Sequence, residues 1–163
     1  MKKIGIISDT HSWWDDKFAF YFNDCDEIWH AGDIGNEEIA FRLNVLAPLK
    51  AVYGNIDGAA IRRKYKELEI FETDGVKVVM THIGGYPGKY APGIKKILLE
   101  EKPRIFISGH SHILKVINDS QLGLLHINPG AAGKQGWQVV RTLVILYVDK
   151  GAIKDCEVIE LSR

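Results

Sequence analysis

Five short apolar runs in this chain stop abruptly at side chains that bind cations. Ile4-Gly5-Ile6-Ile7 leads into Ser8-Asp9-Thr10-His11, and Glu27-Ile28-Trp29-His30-Ala31 into Gly32-Asp33. Leu49 to Tyr53 leads into Gly54-Asn55-Ile56-Asp57, Val76 to Thr81 into His82, and Arg104 to Ser108 into Gly109-His110-Ser111-His112. Continuous apolar runs of this length, bounded by turn residues, are expected of strands covered on both faces. A Gly just before the polar residue lets the backbone turn closely at the rim of a site. The chain must therefore fold so that several buried strands end together, and the expectation is that the five tips converge on one metal site.

The order of elements fits that demand. Residues 15–23 place Phe18, Tyr21 and Phe22 at helical spacing behind Asp15 and Asp16, which suit a helix N-terminus. Asn36 is placed to cap a second helix running through Asn44, with Ile39, Ala40 and Leu43 on one face. Strand, helix, strand, helix, strand implies parallel pairing with right-handed crossovers. After the basic stretch Arg62-Arg63-Lys64-Tyr65-Lys66 the pattern changes. Asp74-Gly75 between Ile70–Thr73 and Val76–Thr81 is a strong hairpin signal. A loop rich in turn residues covers Gly84 to Gly93, Ile94, Ile97 and Leu98 mark a short helix before Pro103, and the rest is strand-like to Leu161. The expected architecture is one domain over residues 1–163, with two packed sheets and outer helices.

Bulk properties narrow the function. Over 163 residues, 21 Lys and Arg balance 21 Asp and Glu, so no global positive field gathers nucleic acid or anionic membrane. No apolar stretch approaches the roughly 20 residues of a membrane span, and the N-terminus does not read as a signal peptide. Cys25 and Cys156 follow no paired pattern, so no disulfide framework is expected. A cytoplasmic protein without a stable nucleic-acid complex fits these features.

The donors set the chemistry. Asp9, Asp33 and Asp57 offer carboxylates, Asn55 an amide oxygen, and His11, His82, His110 and His112 imidazoles. An oxygen- and nitrogen-rich set without thiolate suits Mn first, and also Ni, Fe, Co or Zn. So many groups exceed the needs of one ion, and two ions sharing a carboxylate is the economical reading. Ions about 3.5–4 Å apart can carry a bridging hydroxide and clamp phosphoryl oxygens.

These blocks resemble the five motifs of the calcineurin-like metallophosphoesterase superfamily. His30-Ala31-Gly32-Asp33, Asn128-Pro129-Gly130 and the short length are similar to its small YfcE-like phosphodiesterase branch. The resemblance implies a four-layer α-β-β-α sandwich, two mixed sheets with outer helices, and metals at one edge. It implies Asp9, His11, Asp33 and His112 on one ion, and Asp33, Asn55, His82 and His110 on the other, with Asp33 bridging. Asp33, Asn55 and His110 would serve catalysis by positioning metal and phosphate. It implies a small phosphate-ester substrate, with nucleotides among the candidates, a phosphomonoesterase as the alternative activity, and a metal-bearing interaction scaffold as a third reading, since a retromer subunit of this branch works that way.

The chain departs from the larger members of that superfamily at two linked positions. Ile56 stands where they carry a general-acid His, and Asn36 where they carry the Asp that orients it. The YfcE-like branch also lacks that His, commonly with Cys in its place. The remaining imidazoles are His30, expected in a buried strand or behind the ligands, and His126, just ahead of Asn128. Asp57 is expected to hydrogen-bond a ligand and set its tautomer. Trp13 and Trp14 are candidates for nucleoside stacking, for a homodimer contact, or for packing of the following helix.

Overall fold

The structure, a computed structural model, describes residues 1–162. In chain order the elements are β1 (Lys2–Ile7), α1 (Asp16–Phe22), β2 (Glu27–His30), α2 (Glu37–Leu46), β3 (Leu49–Ala51), α3 (Ala59–Lys64), β4 (Leu68–Thr73), β5 (Val76–Thr81), β6 (Gly85–Tyr86), β7 (Lys89–Tyr90), α4 (Ile94–Glu101), β8 (Ile105–Ile107), β9 (Lys115–Asp119), β10 (Leu124–Asn128), β11 (Arg141–Asp149) and β12 (Ala152–Leu161). Among the described residues they make two five-stranded sheets, ordered β12-β11-β1-β2-β3 and β4-β5-β8-β10-β9, plus the small β6-β7 hairpin.

In the first sheet the parallel strands β1-β2-β3 run to one edge, with antiparallel β11 and β12 on the other side. In the second a parallel centre, β5-β8-β10, has antiparallel β4 and β9 at its edges. Alternation along the strands explains the layers. Ile4, Ile6, Trp29 and Val144 of the first sheet meet Val78, Met80, Ile105 and Ile127 of the second in a dry seam. The opposite face of the first sheet, with Ile7, Ile28 and Leu143, packs against Phe18, Phe22, Ile39, Leu43 and Ile61 of α1, α2 and α3. The outer face of the second, with Val79 and Phe106, packs against Ile94 and Leu98 of α4. Helix, sheet, sheet and helix form the four layers expected, and strands buried on both faces account for the unbroken apolar runs.

Local chemistry agrees with most expected boundaries. Asp15 caps α1 by accepting from Lys17 N, and Asn36 caps α2 by accepting from Ile39 N at 3.2 Å. Asp74 and Gly75 both take positive φ, joining β4 to β5 as a tight hairpin. The basic stretch is solvent-exposed, and Arg62, Arg63 and Lys64 form the end of α3, where cations favour the helix dipole.

One polar cluster crosses the seam at the start of β2. Buried Glu27 accepts from Thr73 Oγ1 of the second sheet at 2.5 Å, Lys2 Nζ at 2.8 Å and Trp29 Nε1 at 3.1 Å. Burial pushes the Glu27 carboxyl up, but these donors together hold it below its ordinary value. Lys50 approaches the same carboxylate only at 3.7 Å and is well exposed. Glu27→Ala is expected to cost about 2–3 kcal/mol by stranding three donors, and Lys50→Ala less than about 1 kcal/mol. Urea unfolding with unchanged m-values measures both.

Candidate metal centre

The parallel strands deliver the expected residues to one edge. β1, β2 and β3 end in the loops of Asp9-His11, Asp33 and Asn55-Asp57, while β5 and β8 end in those of His82 and His110-His112. Sites outside the carboxyl ends of parallel strands are the rule for such sheets. Here the two sheets contribute jointly, so the site lies across the seam. Pairing continues past the strand ends: Asp9 N donates to Gly32 O, His11 N to Asp33 O, and Gly109 N to His82 O.

The backbone is forced into unfavourable shapes to do this. Among the described residues, nine non-glycine residues have positive φ, and six of them are Asp9, His11, Ser12, Asp33, His110 and His112. Each such residue costs on the order of 1 kcal/mol or more, so the strain is concentrated at the site. Close approach is equally demanding. A Cβ on Gly32, itself at φ +104°, would lie 2.6 Å from His82 Nδ1, and one on Gly54 would overlap Asp33 Oδ1.

Seven of the expected ligands come together. Ligand atoms of Asp9, His11 and His112 lie within 4.8 Å of one another, and so do those of Asp33, His82 and His110. Asp33 Oδ2 faces both groups, 3.5 Å from His11 Nε2 and 3.1 Å from His82 Nε2. Asn55 Oδ1 sits 3.0 Å from His110 Nδ1. Asp9 Oδ1, His11 Nε2 and His82 Nε2 are buried without a hydrogen-bond partner, although Asp9 Oδ1 lies 3.2 Å from His112 Nε2. Buried polar atoms are ordinarily satisfied, so orphaned acceptors converging on one spot are what a cation site requires.

The atoms behind the donors fix their orientation. Asp9 Oδ2 accepts from Ser8 Oγ at 2.6 Å and His110 N at 3.1 Å, leaving Oδ1 toward the site. His82 Nδ1 donates to Ala31 O at 2.8 Å and His112 Nδ1 to Gln138 Oε1 at 3.1 Å, so Nε2 of each is the outward atom. Burial pushes the Asp9 and Asp33 carboxyls up, but neighbouring imidazoles and hydroxyl or backbone donors hold both below the usual carboxylate range. His82 is raised despite its burial, by Asp33 and Asp9. A cation bound here would replace those imidazole protons.

Other expected residues have different duties. Asp57 does not touch a ligand imidazole. Its carboxylate accepts from the backbone N–H groups of Gly54 (2.8 Å), Gly35 (2.8 Å) and Ile34 (3.2 Å), bracing the Asp33 and Asn55 loops from behind. Asn36 is occupied as the α2 cap, and Ile56 contributes its backbone N–H to Asp33 Oδ1 at 3.0 Å while its side chain is half exposed. His30 is fully buried, accepts from Gly32 N, and donates to Thr10 Oγ1, which itself donates to Ile34 O. Trp14 packs edge-on against Phe18 beneath Arg42, whereas Trp13 remains partly exposed under Lys134.

Sequence reasoning did not single out Gln138, nor give Asn128 a task. Asn128 Nδ2 donates to Gly109 O and Ser111 Oγ, locking the His110-His112 loop. No motif marks Gln138, because it acts from a loop that is adjacent only in space.

His126 is also fully buried, and neither ring nitrogen has a partner. Desolvation drops its pKa from 6.5 to about 4. Above pH ~6.5 both folded and unfolded forms are neutral. Between about 6.5 and 4 only the unfolded chain takes the proton, so stability falls as pH falls. His126→Leu should remove that share: between pH 7 and pH 5 the wild type is expected to lose about 2 kcal/mol more than the variant, read from urea midpoints. At the candidate metal centre, Gly54→Ala should push Asp33 aside and weaken binding of a divalent ion at least tenfold by calorimetry. Gly58→Ala, where an added Cβ meets nothing within 4 Å, should leave it unchanged.

Comparison with known proteins agrees with this geometry. The family model of the calcineurin-like phosphoesterase superfamily domain matches residues 1–151. A probable metallophosphoesterase of Methanothermobacter thermautotrophicus is 32% identical over 138 residues, spanning 78% of this chain and 76% of that protein. The structure of an archaeal phosphodiesterase is 26% identical and superimposes with a TM-score of 0.73, over 98% of this chain and 99% of that one. Wild-type Vps29 of Entamoeba histolytica, in complex with zinc, superimposes with a TM-score of 0.73 at 20% identity, over 97% of this chain and 98% of its own, a likeness of fold. With the motif blocks at strand tips, their donors convergent and the sandwich shared, the chain belongs to the calcineurin-like phosphoesterase superfamily.

Proposed function

We propose that the protein is a metal-dependent phosphodiesterase with a dinuclear site. The observation that carries this reading is the pair of donor groups on either side of Asp33, with buried acceptor atoms left open between them. Asp9, His11, Asp33 and His112 would hold one divalent ion, and Asp33, Asn55, His82 and His110 the other. Mn²⁺ is the first choice, with Ni, Fe, Co and Zn compatible with the same donors. Bound ions supply Lewis acidity, lowering the pKa of water and neutralising phosphoryl oxygens during in-line attack.

The chain's own residues do the remaining work. Asp33 sets the spacing of the two donor groups, with the Ile56 N–H fixing one of its oxygens. Asn55 and His110, side by side at 3.0 Å, face the solvent edge where a phosphoryl group would lie. Support for a diester comes from space on two sides of the centre. A hollow of about 250 Å³ beside Asn55 and His82 is bounded by Tyr53, Arg62 and Glu67, and a trough of about 460 Å³ lies beside His110 and His112. A diester carries two substituents and can use both, and the archaeal phosphodiesterase relative agrees with that choice.

No imidazole is placed to protonate a leaving group. Of the six His residues, four belong to the proposed ligand set, His30 has both nitrogens engaged, and His126 is sealed in the sheet. A positioned acid is worth about 10²–10⁴ in rate, so departure should depend on the leaving group itself. With Mn²⁺, turnover of bis(p-nitrophenyl) phosphate is expected to exceed that of p-nitrophenyl phosphate at least tenfold. Rates across aryl diesters should fall steeply as leaving-group pKa rises, and Asp33→Ala should abolish both metal binding and hydrolysis. Preference for the monoester would make the protein a phosphomonoesterase. No turnover of either ester with two ions bound would instead support the scaffold reading, which the zinc-bound Vps29 likeness motivates.

A further inference from the structure

The loop between Ala132 and β11 carries Trp137 with its side chain 100% exposed. An indole in that state contributes nothing to the core, yet the loop under it is closely fixed. On one side, Gly136 presses its backbone against His112, where an added Cβ would overlap the ring at Nδ1. On the other, Gln138 accepts from His112 Nδ1, and its amide nitrogen donates to Gly133 O at 3.1 Å and Gln135 O at 2.6 Å. Both neighbours of Trp137 are thus seated on one proposed metal ligand.

The space beside this indole is the 460 Å³ trough, floored by His110 and His112 and walled by Trp137 and Ile113, which is 57% exposed. Its lining includes no carboxylate, ammonium or guanidinium group, in contrast to the Arg62–Glu67 hollow on the other side. A trough with an aromatic wall and no Asp, Glu, Lys or Arg in its lining, beside the proposed phosphate site, suits a flat ring attached to the phosphate.

We infer that the trough seats an aromatic group on one ester arm of the substrate, with Trp137 as its stacking platform and a specificity-determining residue. The inference rests on the phosphodiesterase reading and deepens it. The Trp137 side chain is fully exposed and outside the proposed ligand set, so its replacement should spare the metal centre.

The test uses the Mn²⁺-loaded protein and its Trp137→Ala and Trp137→Phe variants. Trp137→Ala is expected to raise KM for bis(p-nitrophenyl) phosphate about tenfold, equivalent to about 1.4 kcal/mol and within the range of aromatic stacking. Trp137→Phe should largely restore it, with kcat and the inhibition constant of inorganic phosphate unchanged within twofold. Thymidine 5′-(p-nitrophenyl phosphate) and methyl p-nitrophenyl phosphate identify the ring. A larger effect on the thymidine ester assigns the trough to a nucleobase, and equal effects assign it to the aryl leaving group.

Saturable quenching of indole fluorescence by bis(p-nitrophenyl) phosphate, lost in Trp137→Phe, reads the platform without turnover. If quenching is present and no ester is hydrolysed, the aromatic seat stands and the phosphodiesterase reading falls. Hydrolysis with KM and quenching unaltered in both variants would overturn the aromatic seat alone. So would a dimer that Trp137→Ala dissociates without changing KM, since the indole would then be a contact between copies.

Discussion

Asp9 and Asp33 are buried, at 0% and 2% exposure, and both carboxylates face the same imidazoles. Two anions withdrawn from water so close together repel one another and lose hydration, a cost of several kcal/mol unless positive partners answer it. Much of the surrounding fold is that answer. Ser8, the His110 N–H and the Ile56 N–H satisfy the inner oxygens, while His82 and His112 are turned so that Nε2 points outward. The oxygens and nitrogens left over are the ones a divalent ion would take.

Holding that arrangement requires local structure that runs against propensity. Asp9, His11, Asp33, His110 and His112 adopt left-handed backbone, and Gly32 and Gly54 are bare where a methyl group would meet His82 and Asp33. Cross-loop pairing and the Asp57 carboxylate supply the restraint that makes these shapes persist. A long apolar seam and two helix-covered outer faces provide the stability against which this strain is set.

The legible parts of the sequence were those governed by short-range rules. Unbroken apolar runs marked strands covered on both faces, Asp74-Gly75 marked its hairpin, and Asn36 marked its cap. The convergence of the donors was legible because each follows a strand directly, so position in the chain maps onto position at the edge. Where the rule depended on space, the reading failed. Asp57 stands two residues from Asn55 in sequence, but its oxygens go to backbone N–H groups of the Asp33 loop and of Gly54. Arg62-Arg63-Lys64 read as charge and is indeed exposed, but at the end of a helix that the sequence did not mark, with Arg62 Nε turned back to Asp57 O. Gln138 lies 26 residues from His112 in the chain and meets it only after β11 has crossed to its place beside β1.

The origin of the ligand loops has a mechanical consequence. Three arise from one sheet and two from the other, so neither sheet alone carries a complete set for either donor group's partners. The ions would act as rivets through two plates, and sliding of the plates would separate His82 and His110 from Asp33. Side chains in the dry seam, such as Ile6 and Met80, would thereby become part of the gauge that spaces the two donor groups. Occupancy of such a site and alignment of the sheets would be one coordinate, so repacking deep in the interior would register at the rim as a changed spacing of the donor groups.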